Sequence, residues 1–463
     1  MMKYIFMSIA IIIQIFPFTV KANDNVQAEL LHLMQESHER GLFNGNMSIV
    51  HQGKSVFEKQ LGFTDGAKNI KLSKKSAFAL GSISKEFSAV AIMILHEKGL
   101  IDINAPLSTY NLGLPSWAEK VKIKHLLNYT SGLPRLNFRE VKVASDIDLQ
   151  LQQIMNLEFM PGEGYLYSNQ NVLLQMKLIE KITKQPYVSF VKNNFFEPLE
   201  MNDSSFNSLS ENTVIPFNNV GKNDVDEPFP VAFMVYSTAI DMQKWLTALR
   251  MGKLVSYSSL EVLFDTYNQK SNAALGHGKL VHNSVLKHRH QGSHYNFESQ
   301  IYYNAKLDLQ VVLLTNNKNF KLDEITRAIE SIVQNEHYEM PKKSLYLSIR
   351  QTAYEDIEQA LTLYSELKKA SPELYDFDNN NALIRIGDKL INQKKYQSAI
   401  QIFKLSTQEF PNYDNAFDSL AEAYYLKEDY VQALKNYRIA LKINPSNANA
   451  MSMVSKIKGM LQR

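Results

Sequence analysis

Apolar and polar positions follow two periods along this chain, and the switches between them mark its elements. Val26–Arg40 repeats its apolar residues at helical spacing. Asn46–Gln52 and Ser55–Leu61 alternate around Gly53-Lys54, the pattern of a hairpin. An extended stretch, Phe78-Ala-Leu-Gly-Ser82-Ile-Ser-Lys85, runs into an apolar-periodic helix over Glu86–Lys98 that Gly99 stops. Leu309–Asn316 is almost unbroken apolar sequence and reads as a buried strand, with a closing helix over Ile325–Val333. His337–Lys343, with Pro341 and two lysines, reads as linker.

The first residues follow neither period. Lys3 precedes an apolar run from Tyr4 to Val20, and Val20-Lys21-Ala22 supplies small residues before a cleavage point. This is the pattern of a secretory signal peptide over residues 1–22. Gln14 and Pro17 interrupt the run, whereas a comfortable bilayer span needs ~20 apolar residues. A retained membrane anchor and a buried helix are the alternatives. The expectation is an exported protein, periplasmic or secreted.

The last third repeats itself. Tyr396-Gln-Ser-Ala399 recurs 34 residues later as Tyr430-Val-Gln-Ala433, and the same spacing links Gly387 to Ala421, Phe403 to Tyr437 and Pro411 to Pro445. Small Gly387 and Ala399 let paired helices approach, Phe403 and Tyr437 fill the gap between units, and the prolines end the second helix of each. Residues 380–445 resemble the tetratricopeptide family. A single helix around Ala353–Lys369 reads as a divergent flanking unit and Ser446–Leu461 as a capping helix. Because about three repeats are usually needed for stability, so short an array leans on its flanking helices or on the preceding domain. The expected division is a signal peptide (1–22), a chemical domain (23–335), a linker (336–350) and a helical repeat domain (351–463).

Composition narrows the chemistry. Of 463 residues, 45% are hydrophobic and 21% charged, an ordinary globular balance that excludes a mostly disordered chain. A formal charge of +3 without a basic cluster argues against nucleic acid as a partner. The absence of cysteine removes disulfides, thiolate metal sites and cysteine nucleophiles. His282, His288, His290 and His294 cluster, but no carboxylate or cysteine accompanies them at ligand spacing, so neither a metal nor another cofactor is expected.

Ser82 stands where the extended segment becomes a helix, facing the free N–H groups and positive end of that helix. Lys85, about one turn on, reaches the same side, and an amine whose charge is suppressed can take a serine proton. Spacing alone proves little, because Ser-x-x-Lys also occurs at Ser189, Ser284, Ser365 and Ser455. What singles out Ser82 is company in order. Tyr167-Ser-Asn169 follows the turn-rich Pro161-Gly-Glu-Gly-Tyr165, and His290-Gln-Gly292 lies just ahead of the Leu309 strand.

With Leu95-His-Glu-Lys-Gly-Leu-Ile-Asp, Ile123-Lys-His-Leu-Leu-Asn-Tyr-Thr-Ser-Gly-Leu-Pro134 and Ser237-Thr-Ala-Ile-Asp241, this set resembles the serine β-lactamase-related hydrolases over residues 25–335. That family comprises class C β-lactamases, D,D-peptidases and esterases of one fold. The resemblance implies an α+β fold: an antiparallel sheet flanked by helices with an inserted helical lobe, here followed by the all-α repeat domain. It implies Ser82 as acylated nucleophile, with Lys85 and Tyr167 sharing its proton and either of them the base. Asn169 would bind the substrate amide or the Lys85 amine. His290 would steer the substrate or leaving group, and the oxyanion would sit between the backbone N–H groups of Ser82 and Ser293. Gln291 and Gly292 complete the substrate-binding strand.

Departures from the family pattern qualify this. Gln291 stands where a small hydroxyl helps hold a substrate carboxylate, and His290, at best partly charged at neutral pH, replaces a lysine. Val235-Tyr236 stands where small glycines often precede Ser237-Thr238 and narrows the expected cleft. Efficient β-lactam capture is therefore not expected. The leading expectation is a serine hydrolase acting on an amide, ester or peptide. The alternative is a penicillin-binding-like or sensing protein with little turnover, whose repeats recruit a protein or peptide partner.

Overall fold

The computed structural model describes residues 18–224 and 233–461. The signal-peptide expectation therefore lies outside the described residues up to position 17. From there α1 (Phe18–Glu39) leads into the hairpin β1 (Gly45–His51) and β2 (Lys54–Leu61). A short β3 (Phe78–Ala79) turns at Gly81–Ser84 into α2 (Lys85–Glu97). A helical lobe follows, with α3 (Ile123–Leu127), α4 (Ala144–Gln152), α5 (Asn169–Thr183) and α6 (Tyr187–Val191). The chain returns through β4 (Tyr236–Ser237), α7 (Ala239–Arg250) and α8 (Tyr257–Phe264). It then completes the sheet with β5 (His277–Val281), β6 (Ser284–His294), β7 (Phe297–Asn304) and β8 (Leu309–Thr315), closed by α9 (Leu322–Val333).

The large sheet is antiparallel, in the order β2-β1-β8-β7-β6-β5, and β3 pairs separately with β4. Strand β8 explains its own sequence. Its odd residues Val311 and Leu313 pack under α1 and α9, and its even residues Val312 and Leu314 face the α2 and α7 side. Both faces are buried, so the strand reads as a continuous apolar run rather than an alternation. The helical lobe seats on α2 through α5, where Ser88 Oγ donates to Gln175 Oε1 at 2.7 Å. Among the described residues no helix is long and apolar enough to cross a membrane.

Beyond α9 the chain is all helical: α10 (Leu345–Glu355), α11 (Ile357–Ala370), α12 (Asn381–Asn392), α13 (Tyr396–Glu409), α14 (Asp414–Leu426), α15 (Tyr430–Ile443) and α16 (Ala448–Leu461). A Cβ placed on Gly387 would lie 2.2 Å from the Phe403 ring, so the close approach of α12 and α13 requires glycine there. Two expectations need correction. The stretch 336–350 is not free linker. Tyr338 and Met340 pack on the α1–α9 core, and Leu345 and Ile349 already belong to the core of the helical region. The apolar pattern around Ala353–Lys369 is two helices. Asp356 breaks them apart, and its side chain caps α11 by accepting from the N–H groups of Glu358 and Gln359. Continuous apolar periodicity hid that break. The helical region is tied to the sheet by Lys321, whose buried Nζ lies 2.9 Å from Asp376 and 2.8 Å from Glu324.

Candidate active site

Two glycines let backbone meet backbone at the turn before α2. Gly81 has φ +57°, and a Cβ there would fall 2.2 Å from the Ser293 nitrogen. A Cβ on Gly292 would fall 1.9 Å from the Leu80 carbonyl oxygen and 2.9 Å from the Ser82 nitrogen. Strand β6 thus lies directly against the Ser82 turn, and the backbone nitrogens of Ser82 and Ser293 come to one place. Ser299 Oγ donates to the Leu80 oxygen at 2.6 Å, and Leu80 N donates to Val235 O at 2.9 Å, fixing the turn from both sides.

Within this frame Lys85 Nζ donates to Ser82 Oγ at 3.1 Å and lies 5.1 Å from the centre of the Tyr167 ring. The lysine is buried, while Ser82 and Tyr167 are half-buried. The Tyr167 loop is held by the Thr130-Ser-Gly stretch. Ser131 Oγ donates to Asn171 Oδ1 at 2.6 Å, and Asn171 Nδ2 donates to Ser168 Oγ at 2.8 Å. Leu166 N and Gly162 N donate to the Tyr129 and Thr130 carbonyls, each at 2.9 Å. This brings Tyr129 against the tilted Tyr167 ring. Tyr129 is buried 4.6 Å from Tyr167, and burial with the neighbouring Tyr167 and Tyr165 pushes its phenol well above its ordinary pKa. Asn169 opens α5 beside Tyr167.

The structure thus brings together Ser82, Lys85, Tyr167, Asn169, Gly292 and Ser293. It does not bring Gln291. The β6 pleat puts Arg289, Gln291 and Ser293 on one face and His288, His290 and Gly292 on the other. Gln291 Nε2 donates to Gln300 at 2.9 Å, and its Oε1 accepts from Arg289 at 3.2 Å, on the side of α9. The expectation that its amide lines the substrate cleft is corrected on that ground.

His290 points inward but is not free. Its Nδ1 lies 2.7 Å from Glu86 Oε1, where His288 Nε2 also approaches at 3.0 Å, while Trp245 Nε1 donates to Glu86 Oε2 at 2.8 Å. Burial alone would drive the Glu86 carboxyl upward. The charges and hydrogen bonds of His288 and His290 overcome it and hold the pKa down at about 2. Burial pulls the His290 imidazole below its ordinary value, with Glu86 pulling the other way. So a carboxylate does accompany the histidine cluster, contrary to the sequence reading. It comes from a position about two hundred residues earlier. The available signal was an acidic residue at Glu86, one helical turn before Val90 on the buried side of α2. Among the described residues no group of three or more His, Asp or Glu side chains is arranged to hold a metal ion. The other Ser-x-x-Lys serines lie apart, Ser189 on α6, Ser284 at the outer end of β6, Ser365 on α11 and Ser455 on α16.

A family model described as Beta-lactamase matches residues 27–334. "Penicillin-binding protein 4*" of Bacillus subtilis (strain 168) is 25% identical over 362 residues, 69% of this chain and 78% of that protein. "Protein flp" of Staphylococcus aureus (strain COL) is 27% identical over 341 residues, 68% of each chain. Among solved structures, one titled "A class C beta-lactamase" superposes with a TM-score of 0.58 at 17% identity, covering 69% of this chain and 98% of that one. This superposition shows a shared fold.

Proposed function

The chain belongs to the Beta-lactamase family, and from that membership we propose that it is an exported serine hydrolase acting through an acyl-enzyme on Ser82. One observation carries the reading. The Lys85 amine sits 3.1 Å from Ser82 Oγ at a turn where the Ser82 and Ser293 nitrogens converge. As Oγ bonds to the substrate carbonyl carbon, its proton passes to Lys85 or Tyr167. The oxyanion sits on the two backbone N–H groups. The proton then goes to the departing oxygen or nitrogen as that bond breaks, and water repeats the sequence to release the acid. Asn169 and His290 orient the substrate.

Substrates are proposed to be esters, amides or peptides ahead of penicillins. With Gln291 turned to the α9 face and His290 tied to Glu86, no lysine stands on the inward face of β6 to capture a carboxylate. Tyr165, which packs edge-on against Tyr129 and stacks with Tyr267 at 6.4 Å, is proposed to favour an apolar acyl group. The region from Asn381 to Ile443 is proposed to be a tetratricopeptide-type array that offers an extended peptide or a partner's helix a groove. Export is proposed from the Lys3–Ala22 pattern. N-terminal sequencing of the exported protein should begin after Ala22, and a mature chain starting at Met1 would support an anchor instead.

The test is intact-mass spectrometry with a fluorophosphonate and a panel of β-lactams. A single adduct on Ser82 is expected, absent in Ser82→Ala, which should lose at least ~10³-fold in ester turnover yet melt normally. An adduct on Ser189 or Ser284 would sink the assignment. An acyl-enzyme that forms but does not turn over would favour the sensing alternative.

A further inference from the structure

Glu86 follows Lys85 on α2 but turns the other way, into the wall between α2, β6 and α7. Its carboxylate is 0% exposed. Among the described residues no lysine or arginine pairs with it. Its partners are His290 Nδ1, His288 Nε2 and Trp245 Nε1. Burying a carboxylate costs several kcal/mol unless it is fully hydrogen-bonded, and a mere tie between helix and strand could be made by an amide. Trp245 is itself fixed, its ring 4.2 Å from Phe87, and Gly276 leaves room for the His290 ring, since a Cβ there would lie 2.8 Å from it. A bond at Nδ1 sets the ring's rotation and its tautomer. Nε2, on the opposite edge of the ring, has no hydrogen bond among the described residues and is not one of the enclosed atoms left without a partner.

We propose that Glu86 is the positioning residue of this site. It accepts the Nδ1 proton of His290, so that Nε2 is left as the acceptor turned to the Ser82 cleft, and it stabilises the imidazolium whenever Nε2 gains a proton. This rests on the Ser82 acyl-enzyme reading with His290 orienting the substrate. The charged and titratable groups facing His290 are Lys85 and Glu86 from α2, His288 from β6 and His277 from β5. On β7 the residue opposite is apolar Ile301. Glu86 is thus the one negative charge among them. Removing it lowers the imidazole pKa.

The experiment uses the full chain. Glu86→Gln keeps the volume but removes the charge and one of the two acceptor oxygens, so that either Trp245 Nε1 or the histidine pair faces an amide donor. With p-nitrophenyl acetate it should lower kcat about 100-fold while KM stays within about threefold. The acid limb of the pH–rate profile should move to lower pH, and Glu86→Asp should recover part of the loss. A Glu86→Gln protein that melts cooperatively, keeps kcat within about threefold and shows the same pH profile would leave Glu86 a packing residue and overturn the proposal. Should that variant not fold, nitrogen NMR of the unmodified protein decides, with His290 assigned through His290→Gln. The Nδ1–H tautomer is expected, and an Nε2–H tautomer overturns the proposal. Fluorophosphonate labelling of Ser82 in the unmodified protein separates the two levels: its absence would refute the acyl-enzyme reading, while the tautomer still judges Glu86.

Discussion

Residues 27–334 and the helical region after Leu345 bury polar groups in opposite ways. Around the Ser82 turn a carboxylate is enclosed and answered by two histidines and an indole, and backbone atoms approach within reach of one another through Gly81 and Gly292. In the helical region the core is leucine, isoleucine, alanine and aromatic rings, such as Leu383, Ile386, Ala399 and Phe403, and the acids Asp388, Asp418 and Glu422 lie near one another. Burial, with Asp388 and Asp418 nearby, raises the Glu422 carboxyl, and burial likewise raises Asp388 and Asp418. The first region spends folding energy to hold charge in a fixed place. The second is built mostly by stacking apolar volumes, and burial raises its acids. The proposed catalytic site needs the former, and the proposed repeat array does not.

The largest effect that would test this contrast comes from one methyl group placed in each region. Gly292→Ala puts a Cβ against the Leu80 carbonyl and the Ser82 nitrogen, where only backbone could yield. Acylation should fall at least ~100-fold, the scale of losing one oxyanion donor. Gly387→Ala meets only the Phe403 ring. It should cost roughly 1–3 kcal/mol of stability by overpacking and leave kcat for a small ester unchanged. Ester kinetics and melting curves on both variants decide. Lost turnover in Gly387→Ala would show that the regions are not separable.

A pH titration gives the next largest difference. Glu86 is held below its unfolded value, so its contribution to stability is present above pH 4.5 and is lost as pH falls from there toward about 2. His125, lowered mainly by burial to about 4, removes stability as pH falls from 6.5. Glu298, raised by burial to about 7, restores it over the range from 7 down to 4.5. The last two oppose each other near pH 5–6; below 4.5 these three groups leave only losses, offset in part by Asp241, whose carboxyl burial raises. The raised acids of the helical region act in reverse: their cost is present at neutral pH and relieved as they protonate. Trp117 and Trp245, the two tryptophans of the chain, both lie in the sheet-containing region. Below pH 4.5, tryptophan fluorescence should therefore report melting at a lower temperature than far-ultraviolet circular dichroism. Coincident transitions at every pH would refute the separation.

Whether these features could be read from sequence depended on how local they are. β8 was readable because both its faces are buried, and the repeat because alanine, glycine and aromatic positions recur every 34 residues. Ser82 and Lys85 share one helical turn, so their meeting follows from spacing. Glu86 with His290 is a pairing across the whole fold, and no local period encodes it. Gln291 was misplaced because a motif reads neighbours as acting together, whereas the pleat of β6 sends them to opposite faces. The break at Asp356 was hidden by apolar periodicity running through it, and the stretch around Pro341 by polar residues that drew attention from Tyr338 and Met340.

The smallest expected effect is that of removing the helical region altogether. Lys321 and Asp376 form the buried ion pair that joins the two regions, with Glu324 alongside. Deleting one partner of such a pair inside an intact interface is costly, about 3–5 kcal/mol, because the other charge stays buried. Asp376→Asn in the full chain should therefore lower the melting temperature measurably. Deleting the whole helical region exposes Lys321 to water, where the unpaired charge costs little. The place of the cut matters. A chain ending at Asn335 loses Tyr338 and Met340, which pack on α1 and α9, whereas one ending at Lys342 keeps them. The longer version should melt cooperatively and hydrolyse a small ester within about threefold of the full protein, since Ser82, Lys85, Tyr167 and Ser293 all precede the cut. It should lose any activity that depends on a partner delivered through the helices. A folded, cooperative protein ending at Lys342 that cannot turn over the small ester would mean the helical region completes the active site, and the contrast between the two regions would fail.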